Sequence, residues 1–162
     1  MSLSLPKDLY GVTALDMAHL RMVPAIINSI GEEEVLLDSS SQIVSMTKKV
    51  AATNKVSWDP SLSIQMQSAH RSLSRICRLA RNVPFTLGGV MVLLQVHVMN
   101  VMPYTMLLGQ LFDTITKSWI VNDKEENQTV CITCPNTGNK IVIPIYKRGK
   151  LPRKVENLAN FW

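Results

Sequence analysis

Val35, Leu36 and Leu37 lead directly into Asp38, and three hydroxyl side chains, Ser39, Ser40 and Ser41, follow it. A carboxylate at the end of a buried-looking strand costs several kcal/mol if it is ionised and unpartnered, on the order of the penalties known for buried charges. It must be hydrogen-bonded, kept protonated, or turned to solvent. The serines suit a solvated turn, because Asp and Ser side chains bond readily to nearby backbone. They equally suit a carboxylate held for acid–base chemistry, and residues 35–41 alone leave both readings open.

Other residue sets offer less. Cys131 and Cys134 have the spacing of a metal-binding pair, but a zinc site needs four ligands, and His19, His70 and His97 are scattered. Two cysteines flanking a turn explain the pair without a metal. A Gly-rich phosphate loop, a dinucleotide fingerprint and a supported Ser-His-Asp arrangement are all missing from the chain. The sequence therefore calls for neither cofactor nor metal.

The 162 residues, 46% hydrophobic and 18% charged, suit one domain with a real core, and exclude disorder of the whole chain. Three cysteines are too few for a disulfide scaffold, and the first residues lack the pattern of a secretion signal. These features point to an intracellular, cytoplasmic protein. Residues 82–112 hold no Asp, Glu, Lys or Arg, but Pro84, Gly88, Gly89, Gln95, His97, Asn100 and Pro103 interrupt them, which favours buried strands over a membrane span. The net charge of +5 gathers at Arg71, Arg75, Arg78 and Arg81 and at Lys147, Arg148, Lys150, Arg153 and Lys154. Without interleaved aromatics, a solvated face and tail explain these clusters better than a nucleic-acid surface.

The elements that must position Asp38 are mostly strands. Two β-rich runs flank Gly31 and an acidic turn, and the second ends at Asp38. Ser45 is expected to cap a short helix running to about Asn54, with Met46, Val50 and Ala51 on one face. Asp59-Pro60 reads as a turn. Alternation then predicts a long, exposed two-stranded ribbon through residues 62–85, turning at Ala69, His70, Arg71 and Ser72. Gly88-Gly89 introduces an apolar strand over 90–99, and residues 104–109 give another short buried strand. A one- or two-turn helix is expected over 111–119, followed by a hairpin with its loop at 136–139. So many short strands imply a small barrel or sandwich.

This order of elements resembles the retropepsin-like aspartic proteases of retroviral and retroelement polyproteins. An apolar strand ends in Asp-Ser-Ser; a short helix, a ribbon, a long apolar strand and Met-Leu-Leu-Gly follow, the Gly lying about seventy positions after Asp38. The phrases "SQIVSM" and "LLGQLFD" are similar to fungal retroelement copies. The resemblance spans roughly residues 20–148 and implies a mainly β, closed acid-protease barrel with one or two short helices. It makes Asp38 the group that activates water, places Ser39 and Ser40 in its triplet, and gives Ser39 a hydrogen bond across a dimer. Leu108 and Gly109 become the segment beneath the catalytic loop and part of the substrate site. Residues Ala69, His70, Arg71 and Ser72 become the flap over the substrate. The partners implied are a second copy of the chain and an extended peptide or polyprotein substrate.

One Asp per chain suffices in such a scheme, because two close carboxylates share a proton, one serving as base and the other as acid. Asp113-Thr114-Ile115 does not repeat the triplet, so the second Asp38 must come from a twofold-related copy. Ser40 stands where the family has Gly, and its Cβ and hydroxyl narrow the space for a substrate backbone. That substitution supports an alternative, an inactive domain of the same fold kept for dimerisation or protein binding. Gln42 and Gln110 stand where retroviral relatives carry an Asp and an Arg, so a neutral amide pair is expected in place of an ion pair. The organisation expected is a leader over 1–18, the protease-like domain over 19–148 and a basic tail over 149–162.

Overall fold

The computed structural model describes residues 20–67, 74–125 and 127–152. The expected leader, the ribbon turn at 69–72 and most of the basic tail lie outside them. Among these described residues ten strands and two short helices follow one another: β1 (Met22–Ile27), β2 (Gly31–Leu37), β3 (Val44–Thr47), α1 (Lys48–Thr53), β4 (Asp59–Gln67), β5 (Ser74–Leu87), β6 (Val90–Met99), β7 (Met106–Leu108), α2 (Gln110–Thr116), β8 (Trp119–Asn122), β9 (Gln128–Thr133) and β10 (Lys140–Pro144). The main sheet runs β1-β2-β7-β3-β6-β5-β4, and a further β1–β5 pairing through Ile26↔Thr86 and Ile27↔Phe85 closes six of its strands into a barrel. Strands β8, β9 and β10 form a separate three-stranded sheet.

Alternating burial makes the barrel wall. Along β6, Val90, Val92, Leu94, Val96 and Val98 point inward while Met91 and Leu93 face out. Phe85, Leu87, Val23, Ile27, Val35, Met46, Met106 and Phe112 fill the same core with at most 0% exposure each. Burying a side chain of this kind is worth about 1.5–3 kcal/mol, so the interior row of each strand fixes its register. Gly88 and Gly89 form the two-residue β5–β6 turn, both at positive φ. A side chain at Gly88 would also press on Ile141 and Ile143 of β10.

Several local expectations change in the structure. The turn between β1 and β2 is Asn28–Ile30, whereas Glu32, Glu33 and Glu34 lie within β2, opposite Ile26, Ala25 and Pro24. Asn28 and Ser29 take left-handed backbone, and Asn28 Nδ2 donates to the carbonyls of Asn54 and Lys55 at 2.9 and 3.1 Å. Thr47, not Ser45, caps α1: its hydroxyl accepts from Val50 N at 3.2 Å, while Ser45 and Met46 sit in β3. A strand therefore comes before the helix, because Ser45 and Met46 pair with Leu107 and Met106 of β7 as well as with β6. Asp59 opens β4 instead of making a free-standing turn, its Oδ1 accepting from Ser61 N and Oγ.

The long ribbon is only partly a ribbon. Residues Ser74–Cys77 of β5 pair with β4 alone, whereas from Arg78 onward β5 also pairs with β6 and joins the barrel wall. A bulge between Ala80 and Val83 breaks the alternation read from the sequence, with Asn82 at φ +53°. Gln95 closes that bulge: its Nε2 donates to Asn82 Oδ1 at 2.9 Å and its Oε1 accepts from Asn82 N at 3.3 Å. Strand β8 was not expected from the sequence, where residues 111–119 read as one helix; α2 instead stops at Thr116, with Lys117 in left-handed backbone as its C-cap. Among the described residues no helix is long and apolar enough to cross a membrane.

His97, on the same strand face as Gln95, is half-buried, and its Nδ1 has no hydrogen-bond partner among the described residues. Burial lowers its pKa from the ordinary imidazole value, while hydrogen bonding to the Val44 backbone works the other way. A depressed folded pKa means that the unfolded chain binds the proton more readily, so the stability held above the ordinary imidazole pKa of about 6.5 is lost as pH falls below it. The urea midpoint should accordingly drop on acidification below that pH, and drop less steeply in His97→Gln; parallel profiles for the two proteins would exclude His97 as the cause.

Candidate active site

Strand β2 delivers Asp38 to the edge of the barrel, and the segment from β7 into α2 holds it there. Asp38 N donates to Leu108 O at 3.0 Å, continuing the parallel β2–β7 pairing of Leu36↔Leu107 and Leu37↔Leu108. Ser41 N returns to Asp38 O at 3.1 Å and closes a tight turn over residues 38–41. The first amides of a helix have no partners within it, and here the loop supplies them. Gln110 N donates to Ser41 O at 2.7 Å and Leu111 N to Gln42 O at 3.2 Å.

Gly109 lets the two segments meet. A Cβ on it would overlap the carbonyl oxygens of Ser41 and Ile43, which are backbone and cannot swing away. Its own φ of −97° is ordinary, so close approach, not backbone conformation, requires glycine. Leu108, 1% exposed, and Gly109, also buried, therefore support the loop from beneath and offer little surface to a peptide. Half-buried Leu107 lies between Met106 and Leu108 on the same short strand.

Side chains complete the clamp. Gln110 Nε2 donates to Ser39 O at 2.9 Å, so the amide pair expected between Gln42 and Gln110 is replaced by a side chain-to-backbone bond. Ser39 Oγ donates to Asp113 Oδ2 at 2.9 Å, and Ser118 Oγ donates to the other oxygen of the same carboxylate. In the sequence Asp113 reads only as the start of a failed second triplet. Its position four residues after Gly109, on the first turn of a helix that starts against the loop, was the available signal.

Asp38 is half-buried as a residue, Ser39 and Ser40 are exposed, and the bonds its carboxylate makes lie at the surface. Its Oδ1 accepts from Ser40 N at 3.0 Å and also from the Ser40 hydroxyl. The compensation demanded by a carboxylate at this strand end is thus local: an amide and a hydroxyl two residues on. The structure brings together Asp38, Ser39, Ser40, Leu108 and Gly109; the flap residues Ala69, His70, Arg71 and Ser72 lie outside the described residues. Cys131 and Cys134 are buried free thiols on and just beyond β9, and no group of three metal-ligating side chains occurs among the described residues. Hydrogen bonds from the Thr137 hydroxyl and from the Asn136 and Thr137 backbone lower the pKa of the Cys134 thiol, consistent with a turn that is built around it.

No protein-family model matches the chain, and no curated protein matches it. Solved structures do. The retroviral protease-like domain of Ddi1 from Leishmania major superposes with a TM-score of 0.57 at 20% identity, covering 82% of this chain and 98% of that one. EIAV protease complexed with the inhibitor HBY-793 superposes with a TM-score of 0.45 at 14% identity, covering 59% of this chain and 86% of that one. The closed six-strand barrel with its two short helices is a retropepsin-like fold.

The clamp predicts an ordered pair of effects. Gly109→Ala should destabilise the chain by about 3 kcal/mol or more, the upper range for forced overpacking, because two carbonyls block the new methyl. Gln110→Ala removes one exposed hydrogen bond and should cost only about 1 kcal/mol. Denaturant unfolding of both variants measures the difference; equal losses would mean that Gly109 is not sterically required.

Proposed function

We propose that the chain is an aspartic endopeptidase that works as a homodimer, each copy contributing Asp38 to a shared dyad. The observation that carries this reading is the seating of Asp38 at the end of β2, its amide on Leu108 O and its loop dovetailed over Gly109, within a retropepsin-like fold. A fixed carboxylate at a barrel edge, exposed on one side, can meet its symmetry mate across a twofold axis. Two such groups share one proton. The ionised carboxylate takes a proton from water, the water oxygen attacks the peptide carbonyl, and the protonated carboxyl gives its proton to the carbonyl oxygen. The substrate would lie extended between this floor and the β4–β5 ribbon, with residues 69–72 as its cover, and a polyprotein is one such substrate. Ser39 donates its proton to Asp113 within the chain, yet its oxygen can still accept a hydrogen bond from a partner copy.

One observation favours a second reading, an inactive dimerisation or peptide-binding domain of the same fold. The Ser40 hydroxyl sits on Asp38 Oδ1, using acceptor capacity that a water or a second carboxylate would need. Glycine there would leave that oxygen with the amide bond alone.

Asp38→Asn should abolish cleavage of unfolded protein substrates while leaving the circular dichroism and unfolding midpoint nearly unchanged. Cleavage surviving in that variant would refute the dyad. Activity should follow a bell-shaped pH profile with its maximum in mildly acidic solution, as expected when one carboxyl must be charged and the other neutral. Ser40→Gly separates the two readings: a rise of tenfold or more over an almost inert parent favours the binding-domain reading for the natural chain, whereas an already active parent favours the peptidase. Sedimentation with and without a pepstatin-type inhibitor checks the assembly, and a monomer that ignores the inhibitor would count against the peptidase.

A further inference from the structure

Arg78 marks the point where the β4–β5 ribbon leaves the barrel. It is the first residue of β5 paired with β6, opposite Val98, and it also faces Ser63 of β4. Beside it lies a pocket of about 110 Å³ lined by Lys48, Trp58, Arg78, Val98 and Asn100. These side chains come from four separate places: the first residue of α1, the segment before β4, the ribbon root, and the end of β6. Their chemistry is uniform. Two cations, a carboxamide and an indole line the space together with Val98, 2% exposed, and among the described residues no carboxylate lines it.

We propose that this pocket binds a small oxyanion, the phosphate or carboxylate head group of a ligand. The space is small and partly open to solvent, which suits a compact head group such as a tetrahedral or planar oxyanion. Arginine offers a planar fork of donors to such a group, and lysine a mobile point charge. Lys48 Nζ lies 5.9 Å from the Trp58 ring centroid, a cation–π contact that holds the ammonium beside the pocket. The neighbouring carboxylate of Asp59 is engaged elsewhere, its Oδ1 accepting from the amide and hydroxyl of Ser61. Bound there, an oxyanion joins the root of the ribbon to α1.

The site is separate from Asp38. The turn over residues 38–41 precedes β3 and Lys48 follows it, so the four residues of β3, about 13 Å of strand, lie between them. Oxyanion binding there does not depend on Asp38.

The test is a titration of the isotopically labelled full chain with inorganic phosphate and, separately, with acetate, at ionic strength held constant with chloride. Saturable shifts confined to the Trp58 indole, the Asn100 amide and the backbone at Lys48 and Arg78 are expected. Lys48→Gln and Arg78→Gln should each weaken binding about tenfold, the loss of one charge-assisted hydrogen bond, and Asp38→Asn should change nothing. Tighter phosphate than acetate assigns a phosphorylated ligand, and the reverse a carboxylate one. Equal shifts with chloride alone, or undiminished binding in the variants, would overturn the site. Lys48 is exposed, so its variant remains informative should Arg78→Gln fail to fold.

Discussion

The first amides of a short helix need acceptors, and in this protein a loop supplies them. Gln110 N and Leu111 N bond to the carbonyls of Ser41 and Gln42, and the approach is close enough that no side chain fits at Gly109. Either interaction alone is ordinary. Together they make the position of Asp38 a consequence of where α2 begins, because Leu108 O also takes the Asp38 amide. The loop cannot shift without exposing helix donors, and the helix cannot shift without colliding with loop carbonyls. Functional groups are best held by rigid elements, and here a strand end and a helix start hold the same five residues.

Barrel closure serves the same end. Strand β7 is three residues long, yet it sits between β2 and β3, parallel to one and antiparallel to the other. So short a strand has little stability of its own. Its buried residues, Met106 and Leu108, hold it in the core, and its pairing on both sides fixes the carbonyl that receives Asp38. The β1–β5 contact completes the ring, which leaves β4 as an added strand and lets the first part of β5 run out as a ribbon. Rigid wall and projecting ribbon are therefore successive parts of one strand, divided at Arg78.

The electrostatic arrangement around Asp38 is likewise local. Its Oδ1 is bonded to the amide and hydroxyl of Ser40, while Asp113, bonded by Ser39 and Ser118, anchors the next residue of the loop to α2. Two carboxylates thus brace one short turn, one facing the barrel edge and one turned into the helix. Both are stabilised by hydroxyl donors.

The sequence by itself determined the strand-rich class, the long inward-facing row of β6, the glycine turn at 88–89 and the β9–β10 hairpin, because alternation and turn residues are local signals; the placing of Leu108-Gly109 beneath Asp38 came only from the family resemblance. The sequence placed the cap at Ser45 one element early and merged α2 with β8. Residues 44–47 carry a pattern short enough to suit helix or strand, and their pairing with β6 and β7, some fifty to sixty residues away, decided the matter. The bulge at Asn82 escaped for a similar reason, since it is set by Gln95 across the strand. Only the tertiary structure brought Asp113 to Ser39, exchanged the expected Gln42–Gln110 pair for a bond to Ser39 O, and gathered Lys48, Trp58, Arg78 and Asn100 around one pocket. Contacts between residues so distant in the chain leave no periodic trace, because they depend on how the strands close and not on what each strand is.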